Sequence, residues 1–143
     1  MKKVKKLLLL PLALLPYLLF LWLYPRQPAP PGEELLTNGS FADVTEAGMP
    51  SAWYTEAYTS SAGYTDFALV QEDDGRQALF IVNHLPNDAR FAQEVAVEPD
   101  SLYCLSGWIR AQAEGGRGAN LSIADVYTFS TGVYDTQGQW QLV

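Results

Sequence analysis

Trp108 and Arg110 are the residues of this chain best suited to holding a ligand. They stand two apart in a run, residues 102–112, where Tyr103, Leu105, Gly107, Ile109 and Ala111 alternate with Cys104, Ser106, Trp108 and Arg110. Such period-two alternation gives a strand one buried face and one outward face. The preceding run, residues 91–97, alternates in the same way, with Phe91, Gln93, Val95 and Val97 on one side and Ala92, Glu94 and Ala96 on the other. Between them Glu98-Pro99-Asp100-Ser101 reads as a tight turn. The sequence therefore predicts an antiparallel hairpin of residues 91–97 and 102–112. Its core face carries Tyr103, Leu105, Ile109, Val95 and Val97, and its outer face carries Glu94, Trp108 and Arg110. An indole offers a wide apolar platform, a guanidinium a fixed fork of donors, and a carboxylate a set of acceptors. That is recognition chemistry rather than bond-making chemistry.

A second aromatic group lies earlier in the chain. Tyr54, Tyr58 and Tyr64 flank the Ser/Gly-rich stretch TSSAGYT, which is placed to border a cleft, whereas Trp53 reads as core. Catalytic constellations are poorly represented. His84 is the only histidine, so a His-based triad or metal site would lack its other members, and His84 reads as a polar residue at a strand end. Gly115-Gly116-Arg117-Gly118 lacks the lysine and the following helix of a phosphate loop and reads as a hairpin loop. Glu72-Asp73-Asp74-Gly75 reads as a solvated turn. With sixteen Asp and Glu some pair always matches a glycosidase separation, so proximity of two carboxylates identifies nothing. No enzyme is expected in these residues.

The elements that must position these side chains follow from composition. The chain has 143 residues, room for one ordinary domain. All four lysines lie in the first six residues, and beyond Arg26 four arginines face all sixteen acids. Such a surface repels phosphates and argues against a nucleic-acid partner. Cys104 is the only cysteine, so no intrachain disulfide forms.

Residues 1–6 are a basic tail, and residues 7–24, LLLLPLALLPYLLFLWLY, carry no charge. At about 1.5 Å per residue a helix of that length just crosses a hydrocarbon core of roughly 30 Å. Trp22 and Tyr24 mark its outer interface, and the proline-ridden stretch that follows has no small-x-small cleavage site. The sequence predicts an uncleaved, single-pass signal anchor in the cell membrane, with the C-terminal part extracytoplasmic. Residues 25–33 form a Pro-rich linker of polyproline character. From residue 34 onward short alternating runs recur at 35–41, 52–58, 67–71, 78–83, 91–97, 102–112, 121–129 and 139–143, separated by Gly, Asp and Ser clusters. That pattern predicts an all-β sandwich over residues 34–143. The last run looks like a strand that has only started, so the expectation is an incomplete domain whose closing strand lies beyond Val143.

Several segments together resemble the jelly-roll carbohydrate-binding modules of families 4, 9 and 22, in the galactose-binding-like superfamily. Leu35-Leu36-Thr37-Asn38-Gly39-Ser40-Phe41 is similar to their opening strand, and Gly48-Met49-Pro50-Ser51-Ala52-Trp53 to the entry into their second. Gly75-Arg76-Gln77-Ala78-Leu79, the runs at 93–97 and 103–106, and Trp140-Gln141-Leu142-Val143 match later strands in order. The resemblance implies a jelly roll with a polysaccharide or other glycan as partner. In such sites the apolar face of a pyranose stacks on an aromatic ring while polar groups satisfy its hydroxyls. On this chain that points to Trp108, Arg110, Glu94, Tyr58 and Tyr64. The resemblance also implies a structural calcium held by an acidic residue after the opening phenylalanine. Ala42 occupies that place here, and Asp43, one step on, is the candidate metal ligand. No other cofactor is expected.

Two functions follow. The first is a membrane-anchored, extracytoplasmic, non-catalytic glycan-binding module. The alternative is a structural or protein-interaction head of a larger membrane protein or enzyme, with any catalysis carried beyond Val143. An aromatic-floored outer face around Trp108 favours the first, and a flat face covered by loops the second.

Overall fold

The computed structural model describes residues 32–124 and 126–143. The expected anchor at 7–24 and most of the linker lie outside the described residues. The described part is all-β, with no helix among its residues. In chain order the strands are β1 (Tyr54–Ala57), β2 (Thr65–Gln71), β3 (Gln77–Asn83), β4 (Ala89–Ala92), β5 (Trp108–Ile109), β6 (Ser122–Ile123), β7 (Thr128–Phe129) and β8 (Gln141–Leu142). They pair antiparallel as β1–β4, β2–β3, β5–β8 and β6–β7. The chain divides into two compact units, Met1–Val95 and Ala96–Val143.

In the first unit the acidic turn makes the longest hairpin. Gly75 takes the left-handed conformation (φ 84°) that the turn requires. The Glu72 amide donates to the Arg76 carbonyl at 2.8 Å, closing the end of β2–β3. Asp74 accepts from the Arg76 backbone amide at 3.0 Å and from its Nε at 2.7 Å. The Arg76 guanidinium, through its side-chain hydrogen bond, holds the Asp74 carboxyl below its ordinary value of 3.8. A depressed folded-state pKa contributes stability above the unfolded pKa, and this contribution is lost as pH falls through the folded one. We therefore expect the Asp74 carboxyl, followed by NMR, to titrate below 3.8 and to return toward it in Arg76→Gln. The pair is fully exposed, so its effect on global stability is small.

Across β2–β3 the register sets Phe67 opposite Ile81 and Leu69 opposite Leu79. Phe67 meets Phe91 edge-on, with ring centroids 5.3 Å apart. That contact ties β4 into the apolar layer of β2 and β3, while Ala78 is buried on the opposite face of the hairpin.

The opening segment differs from its expectation. Residues 37–40 form a turn rather than a strand, because the Asn38 side chain does locally what a partner strand would do. Its Nδ2 donates to the carbonyls of Asp43 (2.8 Å) and Ser51 (3.1 Å), and its Oδ1 accepts from the Asp43 amide (3.1 Å). The Trp53 indole N–H donates to the Asn38 carbonyl at 3.2 Å, and the Trp53 ring packs edge-on against Phe41 at 5.4 Å. Gln93 completes the tie. It accepts from the Thr37 amide at 2.7 Å and donates to the carbonyls of Thr37 and Ala52. Asn38 itself sits at φ 52°, a position Asn tolerates better than other residues with a Cβ. Asn38→Ala removes these bonds and adds left-handed strain, so we expect a loss of about 1–2 kcal/mol, read as a lower urea midpoint.

The expected hairpin of residues 91–97 and 102–112 is not formed. β4 pairs with β1, and β5 pairs with β8. Alternation specifies the faces of a strand but not its partner, and the side chain of Gln93 is spent on turn carbonyls. Val97, Tyr103 and Leu105, expected in the core, are exposed, whereas Val95 and Ile109 are half-buried.

The second unit is a set of short antiparallel rungs. Gly107 and Val143 exchange both backbone bonds (3.1 and 2.9 Å), extending β5–β8. Ala119 and Val133 do the same at 2.8 Å each, beyond the end of β6–β7. Val133 and Thr136 are its most buried side chains. The Thr136 amide donates to the Ala111 carbonyl at 3.0 Å, while the Thr136 hydroxyl accepts from the Ala111 amide at 3.2 Å in place of the Thr136 carbonyl, which accepts from the Gln139 amide instead.

Candidate functional site

The β5–β8 ladder decides which side chains share a face. Gly107 and Val143 form a hydrogen-bonded pair, so the next pair, Trp108 opposite Leu142, is a non-hydrogen-bonded one, where side chains approach most closely. Directly opposite residues lie on the same face of a sheet. One register step past Ile109–Gln141, Arg110 falls opposite Trp140, and its guanidinium carbon lies 4.7 Å from the centre of the Trp140 ring. Trp108, Leu142, Arg110 and Trp140 therefore make one contiguous face. Trp108 is 61% exposed and Leu142 60%, while Trp140 is half-buried. Ile109 points to the other side and is half-buried, as the alternation requires.

The outward placement of Trp108 with Arg110 thus agrees with the sequence expectation, although the strand that supports them is β8. Trp140 and Leu142 were missed. Their run read only as a strand beginning, and their role depends on a pairing across a long sequence separation. The cation–π contact places the Arg110 guanidinium over the Trp140 ring, beside Trp108 on the same face.

No protein-family model, curated protein or solved structure matches this chain. The face is read from its own chemistry. An open indole, a neighbouring leucine and a guanidinium over a second indole offer apolar contact and positive charge. They supply no nucleophile and no general base.

The other expected residues lie in the first unit. Glu94 is exposed there, and the hairpin that would have set it beside Trp108 is absent. Tyr58 is 89% exposed at the end of β1, and Tyr64 is half-buried at the start of β2. The loop between them is pinned by Asn87, which accepts from the Thr59 amide (3.0 Å) and donates to the Thr59 carbonyl and the Thr65 hydroxyl (2.8 Å each). Asp43 is exposed, and among the described residues no group of three or more His, Cys, Asp or Glu is placed to hold a metal ion. Calcium takes six to eight oxygens, so the described carboxylates alone do not assemble such a set. His84 Nε2 lies 2.7 Å from Asp66 Oδ2 on the β2–β3 hairpin. Both side chains are exposed, and among the described residues no hydroxyl or thiol hydrogen-bonds to that ring.

Proposed function

We propose that this chain is a membrane-anchored, extracytoplasmic jelly-roll module that binds glycan without catalysis, through the face of Trp108, Arg110, Trp140 and Leu142. The observation that carries the reading is the solvent-exposed Trp108 ring on the same sheet face as an arginine stacked on a second tryptophan. A pyranose presents an apolar C–H face rimmed by hydroxyls, and this face offers an aromatic platform beside a guanidinium. The jelly-roll part is supported by the mutual contacts of Asn38, Phe41 and Trp53, three residues of the motifs that carry the resemblance. The membrane part is supported by the charge-free run at 7–24 and its lysine flank.

Glycan-array screening of the full chain in detergent tests the reading. Binding to defined oligosaccharides that is lost in Trp108→Ala is the expected result. An array without hits for a correctly folded chain contradicts it. The second reading, a protein-interaction head, is favoured by one observation, an uncharged apolar groove in the second unit bordered by Tyr103, Leu105, Leu121, Ile123 and Phe129.

A further inference from the structure

Of the four asparagines, at 38, 83, 87 and 120, only Asn38 precedes a glycine. In such a pair the following backbone nitrogen can attack the side-chain Cγ, because glycine has no Cβ to hold it off. The N–Cγ bond forms, the Cγ–Nδ2 bond breaks, ammonia leaves with the proton of the attacking amide, and a five-membered succinimide remains. Water then opens the ring at either carbonyl, giving aspartate or isoaspartate without any oxidant or further reactant. The nucleophile is at hand here. Gly39 is exposed, and its amide makes no hydrogen bond among the described residues. The group it would attack is held. Asn38 Nδ2 donates to the carbonyls of Asp43 at 2.8 Å and Ser51 at 3.1 Å, and Oδ1 accepts from the Asp43 amide at 3.1 Å. The backbone on either side is held as well. Gln93 bonds the Thr37 amide and carbonyl, and the Asn38 carbonyl accepts from the Trp53 indole and from the Phe41 amide.

We propose that Asn38 is a site of spontaneous deamidation gated by the fold: shielded while these bonds are closed, and converted irreversibly when the first unit opens. The same side chain is the reacting group and the tie that holds the segment, so protection and folding are one event. The products do not rebuild the tie. Aspartate puts an oxygen where Nδ2 stands, so the Asp43 and Ser51 carbonyls lose their donor and face a negative charge. Isoaspartate adds a methylene to the main chain and displaces the residues on either side of the turn. Each opening therefore removes a fraction of the chains from the folded population, and the lifetime of the first unit is set by a rate rather than by an equilibrium.

The test is incubation of the full chain in detergent at mildly alkaline pH, with and without enough urea to unfold it, followed by peptide mass mapping that distinguishes aspartate from isoaspartate. In urea, conversion is expected to be faster at Asn38 than at Asn83, Asn87 or Asn120. In the folded chain, conversion at Asn38 is expected to be about tenfold or more slower, in proportion to the rarity of opening. Gly39→Ala keeps the fold, since its Cβ meets only the Leu36 Cβ at 3.9 Å, and slows the reaction in urea by hindering the nucleophile. Asn38→Asp, which is one of the products, shows a lower urea midpoint than the unsubstituted chain at neutral pH. A folded chain that converts Asn38 as fast as the unfolded one overturns the proposal. So does an Asn38→Asp chain with an unchanged midpoint, or a Gly39→Ala chain that reacts in urea at the unsubstituted rate.

Discussion

On the proposed function, Trp108→Ala is expected to lower glycan affinity about thirtyfold and to leave the fold intact. The size follows from the loss of a central aromatic anchor, on the order of 2 kcal/mol or more, which is about thirtyfold in a dissociation constant. Preservation of the fold follows from the position of the ring. Trp108 is 61% exposed and spans a non-hydrogen-bonded pair with Leu142, so its truncation opens no cavity and removes no rung of the ladder. Arg110→Ala is likewise expected to weaken binding, because it removes the cation that lies over the Trp140 ring. Titration calorimetry against the oligosaccharide selected by the array, with circular dichroism of each variant, separates loss of the site from loss of the fold. Wild-type affinity in both folded variants moves the site away from β5–β8, and Tyr58 and Tyr64 become the next residues to replace.

Gly132→Ala has a larger effect on stability. A Cβ at Gly132 would collide with the Arg117 carbonyl oxygen. The obstacle is backbone, so it cannot swing aside as a side chain would. Residues 117–119 must move, and with them the Ala119–Val133 exchange and the buried Val133 side chain. Overpacking of this kind costs about 3 kcal/mol. In a domain of this size each kcal/mol lowers the melting temperature by about 4–8 °C. Gly115→Ala is the control, since its added Cβ meets nothing within 4 Å. Thermal unfolding should show a drop of about 10 °C or more for Gly132→Ala and little change for Gly115→Ala. Equal melting of the two variants would mean that residues 117 and 132 are not packed together.

The sequence made some of this architecture legible and hid the rest for physical reasons. β2 and β3 were readable because apolar runs at 67–71 and 78–83 flank a turn whose chemistry is local, Asp74 and Gly75 acting within a few residues. The outward face of Trp108 and Arg110 was readable because alternation is a property of a single strand. Partners were not readable. The nearest run in sequence was the natural hairpin mate for residues 102–112, but β5 instead joins β8, more than thirty positions on. Glu94 was drawn into the site by that false pairing, and Trp140 was left out of it. The opening segment carried a strand-like pattern, but the side chains of Asn38 and Gln93 replace a neighbouring backbone, and a side-chain amide leaves no periodic trace.

The claim that the β5–β8 face is the glycan site is tested most directly by the indole N–H resonances of the ¹⁵N-labelled full chain. These are recorded while the array-selected oligosaccharide is added. Trp108 and Trp140 lie on the proposed face, whereas the Trp53 indole is engaged with the Asn38 carbonyl in the first unit. Saturable shifts of the Trp108 and Trp140 resonances with one common dissociation constant are expected, together with a Trp53 resonance that stays in place. Saturable binding that leaves both Trp108 and Trp140 unmoved would contradict it.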